Sequence, residues 1–401
     1  MKYVLILGDG MADEPVEELG GKTPLMVAHT PVMDELAPKS ELGLAVTVPA
    51  GMKPGSDVAN LAVLGYDPKR YYSGRSSLEA LSIGIAMKET DIAIRTNLVT
   101  LSEEEGIAYG ERRILDHSAG EISTKEAAEL MEAVKAAFNN ELYQYYTGVS
   151  YRHCLIWNGG ERLDLSQPHD IPGQVIGPYL TADEGLRDMM ERSYDILKNH
   201  PINEARRQAG KNPANSIWFW GAGTKPALFP FEEKTGKRGA MISAVDLLKG
   251  IAVGTQMHSI DVPGADATLE TNYEGKAQAA LDALLRDDYD YVYVHVEAPD
   301  EMGHQGSLPR KIKAIEYLDA RIIRPIRDGL DACGQDYRML IMPDHPTPLR
   351  IRTHSSNPVP YMLYDSTRAQ GDGLLYNEET AAATGIVIDP GYMLADRLLG
   401  R

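Results

Sequence analysis

The chain has 401 residues, 43% of them apolar and 24% charged, so it can bury a sizeable core and is long enough for two or three domains. Its formal net charge of −18 opposes non-specific attachment to nucleic acid or an anionic membrane, so an anionic substrate needs positive charge supplied locally, by metal ions or clustered basic side chains. Two cysteines, Cys154 and Cys333, exclude a disulfide scaffold and a cysteine-based zinc finger; with no apolar run near the roughly 20 residues of a membrane span, they predict a soluble, cytoplasmic protein.

Residues 1–7 predict a buried strand that stops at Gly8-Asp9-Gly10 and delivers an acid into a loop. In the run from Pro54 to Leu61, glycine permits a tight turn and Ser56 precedes the start of a helix. From about Tyr71 to Gly223 the pattern changes. Extended runs at residues 91–101 and 151–157 alternate with helical stretches at 125–138 and 182–199, and with loop-rich segments at 166–178 and 209–213. Helical spacing resumes at 276–285 and 310–330. Strands are expected at 289–296 and 337–342, the first breaking at Glu297-Ala298-Pro299-Asp300 and the second at Pro343-Asp344-His345. Three strands that end in ligand-type residues predict an α/β fold, a mostly parallel open sheet with helices on both faces and its site beyond the carboxyl ends of the strands. The ligand-type residues cluster on either side of the middle block. Residues 1–70 with 225–401 are therefore read as one discontinuous metal-binding domain, interrupted by an inserted α+β cap domain at 71–224.

Asp300 and His304, four apart on a helical turn, can converge on one cation. Adjacent Asp344 and His345 leave a strand end in different directions and can serve one ion from two sides or two neighbouring ions. In isolation each of these pairs, and His354 in Arg352-Thr353-His354-Ser355-Ser356, reads as ordinary surface or turn chemistry. Together with Asp9 they make three carboxylates and three histidines, all at or just after strand ends. Oxygen and imidazole donors without thiolate suit manganese, magnesium or zinc, and a pair of ions leaves room for substrate oxygens. Ser56 alone reads as a helix N-cap; a metal beside it makes it a nucleophile, because coordination lowers the hydroxyl pKa.

These segments resemble the cofactor-independent phosphoglycerate mutases of the archaeal type, in the alkaline phosphatase superfamily. The resemblance runs through Gly8-Asp9-Gly10-Met11, Gly55-Ser56-Asp57-Val58-Ala59-Asn60-Leu61, Gly65-Tyr66-Asp67-Pro68, Gly74-Arg75, the run from Asn215 to Gly223, Ala244 to Gly250, Asp300-Glu301-Met302-Gly303-His304 and Pro343-Asp344-His345. It implies an alkaline-phosphatase-like fold with two divalent cations, manganese first and magnesium or zinc as alternatives, and no bisphosphoglycerate. One cation falls to Asp300, His304 and His354, the other to Asp9, Ser56, Asp344 and His345. Ser56 takes the place of the nucleophile that becomes phosphoserine, Lys249 that of a lysine reaching the phosphate, and Lys225 that of a basic residue holding substrate near the hinge. The implied substrate is a small phosphorylated hydroxy acid, 3-phosphoglycerate exchanging with 2-phosphoglycerate.

Within the inserted block, Arg75, Arg152 and His153 are candidate anion contacts. Trp157, Trp218 and Trp220, with no basic stripe beside them, are expected to pack in the core and hinge, which leaves no nucleic-acid platform. Three segments depart from the family pattern: Gly74 to Glu79, Asp116 to Glu121, and Gln167 to Ile171. They resemble a bacterial subgroup proposed to contain homoserine kinases, so phosphotransfer to another small alcohol, or phosphatase activity, is the alternative. No Walker-type loop accompanies it.

Overall fold

The computed structural model describes residues 1–368, 371 and 373–401, which form two compact units: Met1–Tyr72 with Ala227–Arg401, and Ser73–Pro226. The first unit is built on an eight-stranded sheet. Across it the strands are Val387–Ile388, Glu41–Ala45, Val359–Asp365, Tyr337–Met342, Lys2–Gly8, Tyr291–Val296, Gly239–Ile242 and His258–Ile260. All are parallel except Val359–Asp365, which runs against both of its neighbours. The central strands are continuous apolar runs because both faces are covered: Val4 and Ile6 face a core with Val292, Val294, Ile315 and Leu318, while Leu5 and Leu7 are equally buried on the other side.

Residues 310–330, expected as one helix, form a segmented one. Helix Leu308–Leu318 passes through a wider π turn at Asp319–Ile323 into Arg324–Ala332. Pro325 has no N–H to donate to the preceding turn, and Asp319 turns its carboxylate to the backbone N–H groups of Val32 and Met33, at 3.2 and 2.7 Å.

The second unit is α+β. Its central strand, Asp91–Leu101, is buried at all eleven positions and pairs antiparallel with Ile114–Asp116, Arg152–Asn158 and Ser216–Thr224; Tyr143–Tyr146 extends the sheet beyond Arg152–Asn158. Helices Thr124–Phe138 and Glu184–Leu197 bury Leu130, Val134, Leu186 and Met190 in one core with Leu98 and Trp218. Among the described residues, no helix is long and apolar enough to cross a membrane.

Candidate metal centre and nucleophile

Strands Tyr337–Met342, Lys2–Gly8 and Tyr291–Val296 are parallel neighbours, so their carboxyl ends lie side by side. Asp344 and His345 follow the first, Asp9 follows the second, and Asp300 sits on helix Ala298–His304 after the third. Residues some 290 to 340 positions apart in sequence are thereby gathered at one sheet edge. The approach is close enough to require glycine at position 10: its φ is +60°, and a Cβ there would lie 2.5 Å from Thr347 Oγ1 and 2.6 Å from Asp300 Oδ1.

Six of the seven expected ligands fall into two triads, Asp300 with His304 and His354, and Asp9 with Asp344 and His345; within each, the ligand atoms lie within 4.8 Å of one another. In the outer triad, His304 Nε2 is 3.1 Å from both Asp300 Oδ2 and His354 Nε2, and His354 Nε2 is 3.5 Å from Asp300 Oδ1. His304 Nδ1 faces the carbonyl of Arg352 at 3.0 Å, which turns Nε2 towards the triad. The inner triad is wholly buried. Asp344 Oδ1 accepts from the backbone N–H groups of Gly10 and His345, at 3.2 and 2.9 Å, and its Oδ2 accepts from Asn60 at 2.8 Å. Asp9 Oδ2 meets His295 Nε2 at 2.9 Å, whereas buried Asp9 Oδ1 has no hydrogen-bond partner.

That bare oxygen, 3.6 Å from His345 Nε2, is the mark of a site arranged for a cation. The electrostatics agree. Burial, followed by the charges of Asp344 and Asp300, pushes Asp9 well above the usual carboxylate range, the state of a carboxyl group crowded by its own kind. For Asp300, burial acts upward, but hydrogen bonds from His304 and His354 outweigh it and hold the group well below that range. Burial acts downward on His304, yet the bond and charge of Asp300 lift it to about 9. Two oxygen-and-imidazole triads, one with an orphaned carboxylate oxygen, fit divalent cations.

Ser56 is the first residue of helix Ser56–Val63, but it is not the cap: Gly55 holds that position and no side chain caps the helix. Its Oγ lies 3.1 Å from His345 Nε2, beside the inner triad. The tautomer of His345 follows from its other neighbour. Thr347 Oγ1 is bonded to Asp300 Oδ1 and lies 3.3 Å from His345 Nδ1. Ionised Asp300 can only accept, so the threonine hydroxyl donates to it and accepts from Nδ1–H, which leaves Nε2 of His345 with its lone pair. Thr347 thus ties the two triads together.

Sequence reasoning passed over Thr347, Asn60 and His295. Asn60 lies one helical turn beyond Ser56, donating to the Ser56 carbonyl at 2.9 Å and to Asp344, and its own oxygen accepts from Tyr293 Oη. A polar residue at i+4 from the candidate nucleophile was the available signal for it; for His295, it was a lone imidazole in the apolar run YVYVHV. The two lysines are engaged elsewhere. Lys249 is paired with Asp261 at 2.6 Å, and Lys225, in the inserted unit, with Glu89 at 2.7 Å.

In the inserted unit, Arg75 and buried Arg95 share Glu79, with Arg75 Nε–Oε1 at 2.9 Å and Arg95 Nη1–Oε2 at 2.6 Å. The glutamate in the Gly74–Glu79 departure therefore bridges two guanidinium groups with a single negative charge. Arg152 lies exposed over the Tyr151 ring, at 5.5 Å. His153 is buried; its Nδ1 accepts from Gly148 N–H at 3.1 Å, its Nε2 has no hydrogen-bond partner, and burial pushes the ring down to about 3. The other two departures meet: His117 packs 6.0 Å from His169, and His169 lies 5.3 Å from Trp220. Trp218 and Trp220 are buried, and Trp157 is half-buried.

Residues 37–203 match the family model described as 2,3-bisphosphoglycerate-independent phosphoglycerate mutase. A Geobacter sulfurreducens protein named "Probable 2,3-bisphosphoglycerate-independent phosphoglycerate mutase" is 49% identical over 100% of both chains. A solved protein of Pyrococcus horikoshii superposes with a TM-score of 0.80 at 29% identity, covering 100% of this chain and 98% of that one. The solved cofactor-independent phosphoglycerate mutase of Thermoplasma acidophilum gives 0.64 at 27% identity, covering 100% and 99%. The chain belongs to the 2,3-bisphosphoglycerate-independent phosphoglycerate mutase family and is an enzyme of the isomerase class.

Proposed function

We propose that the protein interconverts 3-phosphoglycerate and 2-phosphoglycerate without bisphosphoglycerate, through a phosphoserine at Ser56. The observation that carries this reading is Ser56 Oγ, 3.1 Å from the lone-pair nitrogen of His345 and free of any helix-capping duty, next to the inner of two ligand triads. Asp300, His304 and His354 would hold one divalent cation, and Asp9, Asp344, His345 and Ser56 the other, with manganese the first choice and magnesium or zinc alternatives. When bound, the ions neutralise phosphoryl oxygens and lower the pKa of nearby hydroxyls.

The chain's own groups supply the rest. Ser56 Oγ attacks phosphorus in line; the bond from phosphorus to the substrate oxygen breaks, and that oxygen leaves with a proton on glycerate. Without a cation the Ser56 hydroxyl proton faces His345 Nε2, which Thr347 orients; with that lone pair given to the inner cation, the proton would pass to the departing glycerate oxygen. Phosphoserine then stands at the N-terminus of helix Ser56–Val63, where backbone N–H groups favour an anion. Glycerate turns over and its other hydroxyl attacks phosphoserine, regenerating Ser56. Calcium suits the donor set poorly, since it prefers six to eight oxygens and the triads include three imidazoles.

In this reading residues 73–226 are a cap that keeps water from phosphoserine, with hinges near its two joints. Arg75, Arg152 and His153 are its candidate contacts to the substrate anion. Lys225 would have to leave Glu89 to contribute, and Lys249 would have to leave Asp261 to reach the phosphate. The substrate is a small phosphorylated hydroxy acid, and the setting is the cytoplasm. Purified protein supplied with manganese and no bisphosphoglycerate should convert 3-phosphoglycerate to 2-phosphoglycerate. Failure to form 2-phosphoglycerate, or phosphate release or transfer to homoserine in its place, would sink the mutase reading.

A further inference from the structure

His295 lies in the middle of the sheet, fully buried, and its two ring nitrogens have different partners: Nε2 meets Asp9 Oδ2 at 2.9 Å, and Nδ1 meets Ser243 Oγ at 3.1 Å. The Ser243 oxygen already accepts from the backbone N–H of Val245 at 3.0 Å. Its own proton is therefore available to Nδ1. Beside a bound cation Asp9 would be ionised and accept only, so Nε2 would carry the ring's single proton and Nδ1 would be the acceptor. Both hydrogen bonds are satisfied by one tautomer of a neutral ring, and that tautomer spends Oδ2 of Asp9 while leaving Oδ1 without a partner.

We infer that His295 is a positioning residue for the inner cation: in its Nε2–H form it fixes the Asp9 carboxylate and selects Oδ1 as the oxygen that faces the ion. The inference rests on the reading of the inner triad as a metal site and adds a residue outside the ligand set. The same strand face supports the triad's other carboxylate. Tyr293, two residues earlier on that face, donates to Asn60, which donates to Asp344 Oδ2. His295 takes one oxygen of Asp9, and Tyr293 acts through Asn60 on one oxygen of Asp344, while Lys276 Nζ holds the carbonyl of His295 at 3.0 Å, pinning the end of the strand. Hydrogen bonds of this kind orient metal ligands, and losing one costs roughly 10–100-fold in metal affinity.

Two substitutions separate the role from simple core packing. In His295→Gln the amide nitrogen can stand near the place of Nε2 and still donate to Asp9; in His295→Asn the amide oxygen can stand near that of Nδ1, accepting from Ser243 while the bond to Asp9 is lost. Manganese titration of the full-length variants, by calorimetry and by electron paramagnetic resonance, should show the inner site weakened roughly 10–100-fold in His295→Asn, the outer site little changed, and most of the loss recovered in His295→Gln. Nitrogen-15 NMR of the unaltered protein loaded with zinc should show His295 as the Nε2–H tautomer, a readout that survives if neither variant folds. An Nδ1–H tautomer, or inner-site binding indifferent to His295→Asn, overturns the inference alone. Absence of inner-site manganese binding in the unaltered protein overturns it together with the metal reading. The Asn–Gln contrast in a protein that fails to isomerise phosphoglycerate upholds the inference while the mutase reading falls.

Discussion

The two ligand triads sit on the same sheet edge, yet they manage charge in opposite ways. The outer one is partly open, its His304 side chain 35% exposed, and it balances itself: histidine and carboxylate share a proton, which draws Asp300 down and lifts His304 to about 9. The inner one is closed and does not balance itself. Burial, followed by the charges of Asp344 and Asp300, raises Asp9, and neutral donors hold the two carboxylates in place while Asp9 keeps an oxygen bare. One triad thus carries a proton between its own members, whereas the fold holds the other with neutral donors and leaves one carboxylate oxygen free for a cation. Ser56, the proposed nucleophile, lies beside the inner triad.

Removing both cations is the harshest test. Chelation should abolish isomerisation, and manganese should restore it better than calcium, as a coupled assay for 2-phosphoglycerate will show. Ser56→Ala comes next: turnover should fall roughly 10⁴-fold or more while circular dichroism reports an intact fold. A folded alanine variant that retains comparable turnover would remove Ser56 from the chemistry. His304→Ala strikes only the outer triad, so rapid-quench kinetics should show phosphoserine formed nearly normally but discharged at least roughly 10-fold more slowly. Equal loss in both steps would erase the functional distinction between the triads. Thr347→Val cuts the tie between them while keeping shape and should lower kcat by about 10-fold, with KM little changed.

The smallest expected effect is a pH dependence of the outer site. In the metal-free protein, His304 has a folded value of about 9, above its ordinary 6.5, so its bond to Asp300 stabilises fully below about 6.5 and fades as pH rises through about 9. Manganese must displace that proton. Outer-site affinity should therefore climb with pH across that window, by at most about 10-fold per unit, with proton release visible as a buffer-dependent heat. An affinity flat between about pH 6 and pH 9 would contradict the proton-sharing picture.

The residues of the two triads were legible because local order singles them out. Asp300 and His304 announce themselves by helical spacing, and Asp9, Asp344 and His345 by standing where an apolar run stops. The supporting residues were not, since their meaning lies in partners more than two hundred positions away: Asn60 with Tyr293, and His295 with Asp9. An asparagine in a buried helix and a histidine in a buried strand look like packing until the sheet brings those partners close. Lys249 is a different case. Motif position suggested a phosphate contact, but a side chain long enough to choose has taken Asp261. The π turn after Leu318 escaped for a third reason, because apolar spacing runs on through 310–330 and does not report the backbone bond that Pro325 cannot make.

The central claim is that Ser56 carries the phosphoryl group between the two hydroxyls of glycerate. Acid quench of the manganese-loaded enzyme during turnover of 3-phosphoglycerate, followed by peptide mass spectrometry, tests it most directly. The account predicts a phosphorylated peptide containing Ser56, absent from Ser56→Ala and enriched in His304→Ala. An enzyme that turns over while Ser56 stays unmodified, in the unaltered protein and in His304→Ala alike, would contradict it.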